Sequence, residues 1–186
     1  MPDCQRKNSN LVIWYHITVI LVVLTIPVSA SLNYSDYPDN WKIIQDKNWS
    51  VSYPPNWVVH IMDDSAWVRI SPPDDQVSLD IGSTKVSGSL RYLIDDLSDY
   101  VVSEGSTIIN NTTFTRINGR EAAMFDYQGR AEDPGFCRAV YIDNEGMILV
   151  IFYHTDREQW FAENFDIAQM MIGTIRFPEI GTNLSV

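Results

Sequence analysis

The sequence is short of the residues on which most enzyme chemistry depends. It has two cysteines and three histidines in 186 residues. It contains no G-x-S-x-G, no H-E-x-x-H, no C-x-x-C and no glycine-rich phosphate loop. Nothing in its order therefore announces a nucleophile elbow, a zinc protease, a redox pair or a nucleotide cradle, and no cofactor is expected. Positive charge is scarce as well: 13 Lys and Arg stand against 24 Asp and Glu, a net charge of −11. Such a surface repels phosphate backbones, which excludes nucleic acid as an expected partner. There is no internal repeat and no block of like charge, so solubility is the plain reading of the acidity.

One long apolar run is present. Residues 11–30, LVIWYHITVILVVLTIPVSA, follow a short leader carrying Arg6 and Lys7. Basic residues stay on the cytoplasmic side, so the rest of the chain is expected to be exported. Two readings stay open. Val28-Ser29-Ala30 after Pro27 has the small-residue form of a signal cleavage site, and the run also nears the roughly 20 residues that span a bilayer. The protein is thus expected at the cell surface, either membrane-anchored or secreted, with residues 1–30 as signal peptide or anchor. Cys4 precedes the run and Cys137 follows it, so an internal disulfide is excluded and Cys137 reads as a buried, inert thiol. Five N-x-S/T sequons, at Asn33, Asn48, Asn110, Asn111 and Asn183, are candidate glycosylation sites in an exported chain.

Without its first 30 residues the 186-residue chain keeps 156, enough for one domain with a real core. Removing Asp3, Arg6 and Lys7 from the 24 acidic and 13 basic side chains leaves 23 and 11, a net of −12. Residues 31–40 read as a polar linker and 179–186 as a loose tail, leaving 41–178 as the domain. Strand signals dominate its first part: Trp41–Gln45, Trp49–Tyr53, Trp57–Met62, Ala66–Ile70 and Val77–Val86, parted by turn residues and Pro-Pro pairs. From Ser89 to Val102 the period changes, with Leu90, Leu93, Ile94, Leu97 and Val101 on one side, a cap at Ser89 and a stop at Gly105.

A meander of strands follows. Thr107–Ile117 and Arg120–Gln128 flank Asn118-Gly119, whose residues accept the positive φ of a type I′ turn. Phe136–Ile142 and Met147–Tyr153 flank a second hairpin turn, and the last of these strands is apolar throughout, as in a central strand covered on both faces. A final helix is expected from the capping box Thr155-x-x-Glu158 to Gly173, and a short strand at Thr174–Phe177. The order implies an α+β fold, a mostly antiparallel β-sheet packed by two main helices.

Three stretches resemble the PsbP-like family, named for an extrinsic luminal subunit of the photosynthetic oxygen-evolving complex. They are Trp49-Ser50-Val51-Ser52-Tyr53-Pro54-Pro55-Asn56-Trp57, Ile117-Asn118-Gly119-Arg120-Glu121-Ala122, and an apolar strand followed by a helix ending in Ile172-Gly173-Thr174-Ile175-Arg176-Phe177. Together they span about 130 residues, nearly the whole exported part. The resemblance implies an α/β/α sandwich and argues against an enzyme. Photosystem association is not implied, because the basic extension and metal-site residues on which it depends have no counterpart in this acidic chain.

The remaining candidates are few. His60 with Asp63 and Asp64 is the best local metal-ligating group, and His154 with Asp156 the second, but neither has a third and fourth ligand at a recognisable spacing. Trp41, Trp49, Trp57 and Trp67 fall within 27 residues. Most read as core, with Trp41 and Trp67 as the exposed pair available to a sugar ring or a protein. Trp41, Trp67, His60, Asp63 and Asp64 are therefore the expected contact residues. The leading expectation is a non-catalytic binding or assembly module that contacts an envelope protein or a surface glycan. A binder of carbohydrate or a divalent cation is the alternative. A hydrolase built from Ser, His and Asp brought together in space is the third.

Overall fold

The computed structural model describes residues 38–62, 67–86, 88–132 and 134–178. The apolar run, most of the linker, the terminal tail, Asp63, Asp64, Asn33 and Asn183 lie outside the described residues. Among those described, no helix is long and apolar enough to cross a membrane.

The chain forms β1 (Lys42–Gln45), β2 (Ser50–Tyr53), β3 (Val58–Ile61), β4 (Trp67–Ser71) and β5 (Ser78–Lys85), then α1 (Leu90–Ser103). After it come β6 (Thr107–Ile117), β7 (Arg120–Gln128), β8 (Phe136–Asp143), β9 (Met147–Thr155), α2 (Glu158–Glu163) and α3 (Phe165–Gly173). Seven strands make one sheet in the order β3-β4-β5-β9-β8-β7-β6, and β1-β2 is a separate hairpin. Every pairing is antiparallel. The β6–β7 turn has Asn118 at φ 49° and Gly119 at φ 81°, as a type I′ turn demands. The Asn118 side chain also ties the turn to the carbonyl of Ile175.

β9 sits in the middle of the sheet, and its apolar run is divided by the two-residue period of a strand. Leu149, Ile151 and Tyr153 join a core formed with Ala168, Met171 and Ile172 of α3 and with Trp49 and Val51 of the small hairpin. Ile148 and Val150 point the other way, into a core with Leu90 and Ile94 of α1, Phe125 and Tyr141. The sheet is thus sandwiched between α1 on one face and α2, α3 and the hairpin on the other. α1 is capped as its sequence implies, the Ser89 hydroxyl accepting from the Tyr92 N–H at 3.4 Å.

Three local expectations give way. Thr155 does not form a capping box: β9 runs through it, and its hydroxyl donates to the Gln76 carbonyl at 2.7 Å while accepting from the Arg157 N–H at 3.3 Å. The last helix is two helices, broken at Asn164, whose side chain donates to the Trp160 carbonyl at 3.1 Å. The final strand shrinks to one bridge, Ser50 with Arg176, closed by two backbone hydrogen bonds of 2.9 Å.

Candidate functional site

α1 packs on β6, β7 and β8. The same face of the sheet continues beyond its main footprint onto β9, β5, β4 and β3, and there its character changes. Antiparallel register sets Arg69 of β4 directly opposite Asp80 of β5, and Ser78 of β5 directly opposite His154 of β9. Because paired residues share a face, the four side chains converge. Arg69 grips Asp80 with both forks, Nε to Oδ1 at 2.9 Å and Nη2 to Oδ2 at 2.8 Å. His154 Nε2 lies 3.2 Å from Asp80 Oδ2 and 2.7 Å from Ser78 Oγ.

Asp80 is 9% exposed and Ser78 is 3% exposed. Burial pushes the Asp80 carboxyl up, but the hydrogen bonds from His154 and Arg69 and the attraction of their charges prevail and hold it down at about 2. The carboxylate is therefore ionised and can only accept, and a third group, Arg69 Nη2, lies 3.4 Å from the same His154 Nε2. Nδ1 has no partner among the described residues.

This arrangement bears on a chemical question. Ser, His and Asp are brought together, as a hydrolase would need, but Asp80 and Ser78 share one nitrogen of the ring. A working triad places the carboxylate on Nδ1–H and leaves Nε2 bare to take the serine proton. Here Asp80 and Ser78 meet the same nitrogen and no carboxylate among the described residues stands on Nδ1, so the geometry is not that of a triad. The nearby thiol is equally passive: burial pushes Cys137 up to about 12.

Two cavities flank the strand end at His154, Thr155 and Asp156. One, of about 220 Å³, is bounded by Arg69, Asp75 and Ser78. The other, of about 380 Å³, is bounded by Asp80, Tyr127, Phe136, Phe152, His154 and Asp156. A larger one of about 510 Å³ lies at the start of α1 between Arg91 and Arg116. No buried polar cluster converges there, and Arg91 is laid over the Phe114 ring at 4.3 Å.

The expected contact residues are scattered. His60 is exposed on the edge strand β3, opposite Arg69. Trp41 and Trp67 do not form an exposed pair. Trp41 packs half-buried against the α3-side core and Trp67 against the α1-side core, on opposite faces of the sheet. Trp67 lies flat over Gly82, where a Cβ would come within 2.5 Å of its ring, and stacks on Phe152 at 5.7 Å. Among the described residues, no group of three His, Cys, Asp or Glu side chains is placed to hold a metal ion.

Of the sequons, Asn48 is half-buried at the β1–β2 turn and Asn111 is exposed. The Asn110 amide donates to Asp126 at 2.8 Å, within a second ion pair formed with Arg138.

The sequence reading missed Arg69, Ser78 and Asp80 altogether. The available signal was a charge inside an apolar strand, Arg69 between Val68 and Ile70 and Asp80 between Leu79 and Ile81.

No protein-family model matches the sequence, and no curated protein matches it. Solved structures do match in fold. Cyanobacterial PsbP (CyanoP) from Synechocystis superposes with a TM-score of 0.58 at 13% identity, over 74% of this chain and 92% of that one. A protein of unknown function from Pseudomonas aeruginosa gives 0.53 at 17% identity, over 76% and 99%. A structure from Bacteroides thetaiotaomicron gives 0.54 at 12% identity, over 75% and 49%. At these identities the likeness is one of architecture, and by architecture the chain has a PsbP-like fold.

Proposed function

We propose that this chain is a non-catalytic binding module of the cell envelope, exported behind residues 11–30 and either anchored by them or released. The observation that carries the non-catalytic part is the sharing of His154 Nε2 by Asp80 and Ser78, at 3.2 and 2.7 Å. It leaves the serine unactivated beside a cavity of ligand size. Export rests on the basic leader and the apolar run. The partner is an envelope protein or a surface glycan, met through the part of the sheet that α1 leaves open and through the exposed edge strand β3.

The test is proximity labelling from the native chain on intact cells, with and without Ser78→Ala. The reading expects a reproducible set of envelope neighbours, the same in both. Labelling confined to cytoplasmic proteins, or a hydrolytic activity that disappears with Ser78→Ala, would contradict it.

A further inference from the structure

The 380 Å³ cavity beside His154 differs from the other two in that its walls hold no arginine or lysine. What they offer is of one kind. Tyr127, Phe136 and Phe152 present aromatic surface, whose faces carry negative potential. Asp156 is exposed, and its carboxylate has no partner among the described residues. His154 is held at Nε2 by Asp80 and Ser78, which fixes the ring in the cavity wall. Asp80 adds negative charge at the back wall, balanced by Arg69 through its two hydrogen bonds. A carboxylate and π faces without an arginine or lysine suit a ligand that brings the cation and the donors itself.

The geometry points to this cavity as a binding site for a small organic cation, a primary amine with a flat apolar body. Its ammonium is held by Asp156, and its body lies against Phe152 and Tyr127. The volume falls at the small end of ligand pockets, about 300–1,000 Å³, which suits one ring and a short chain. Trp67, the residue expected to carry a sugar, does not line this cavity; it lies over Gly82 and stacks nearly parallel to Phe152 at 5.7 Å. The inference adds a ligand class beyond the partners named above and rests on the binding-module reading.

The experiment uses the full chain, 2-phenylethylamine as probe and 3-phenylpropionate as the anion of similar body. Calorimetric titration and melting curves should show heat and a raised Tm with the amine and neither with the carboxylate. Asp156→Asn, at an exposed position, should leave the Tm of the free protein unchanged and weaken the amine about tenfold, as loss of a charge-assisted contact does. The proposal is overturned if the amine gives no heat at tens of millimolar, if amine and carboxylate act alike, or if Asp156→Asn binds as the parent does. Failure here with the envelope neighbours retained removes the ligand class alone. Loss of the neighbours removes the module reading, whatever the amine does.

Discussion

One face of the large sheet is finished in two ways. Under α1, Ala123 and Ala139 leave room for Leu90 and Ile94, and Phe125 stacks on Tyr141 at 6.1 Å. Beyond α1, the positions on the same face hold Arg69, Ser78, Asp80 and His154, with Trp67 laid over Gly82. An apolar face needs a cover to keep water out, and the helix provides it. A face without a helix satisfies its polar groups sideways, strand to strand. No buried side-chain polar atom among the described residues lacks a partner. A buried ion pair is seldom the most stable filling for such a site, since apolar side chains of like volume often do as well or better. That four polar groups stand here, beside two cavities, is the reason to read this half as the working surface.

The contrast can be broken from either side. The largest effect is expected under the helix. Ile94 is fully buried against the sheet, and Ile94→Ala should cost about 3 kcal/mol through lost transfer energy and the cavity left behind. Chemical denaturation would measure it, and Ser78–His154–Asp80 geometry, followed by imidazole chemical shifts, should not change.

The next effect lies in the polar half and depends on pH. The Asp80 carboxyl stands at about 2 in the folded chain against an ordinary 3.8. The unfolded chain therefore binds its proton more readily, so the stability it contributes is present above about pH 4 and lost as pH falls toward 2. That contribution is about 2 kcal/mol. Asp80→Asn should lose a similar amount at pH 7, and the gap between variant and parent should narrow in denaturation curves at pH 2.5. The smallest effect is expected at the join. Gly82→Ala places a methyl group against the Trp67 ring, at a cost of about 1 kcal/mol from overpacking. Its readout is altered tryptophan fluorescence as the Trp67–Phe152 stack opens.

Much of the fold could be read from order alone, and most of the site could not. Asn118-Gly119 fixed the β6–β7 hairpin because few other pairs accept two positive φ angles. The stripe from Leu90 to Val101 fixed α1 because its period differs from that of the strands around it. The capping box at Thr155 failed because a hydroxyl can serve only where it is placed, and strand pairing placed it beside Gln76. The polar network was hidden for a related reason. Its members come from β4, β5 and β9, and only the order β4-β5-β9 makes neighbours of residues up to 85 positions apart. Local periodicity carries no information about which strand lies beside which. The tryptophans misled in the same way: Trp41 and Trp67 are 26 positions apart in sequence, yet they fall on opposite faces of the sheet.

The measurement that reaches the central claim most directly is the tautomer of His154, read from the nitrogen chemical shifts of its imidazole in the folded, full-length chain. A hydrogen on Nε2, with Nδ1 bare, is the predicted result and marks a ring held in place to bind. A hydrogen on Nδ1, with Nε2 bare toward Ser78, would describe a base poised to activate a serine and would contradict the account.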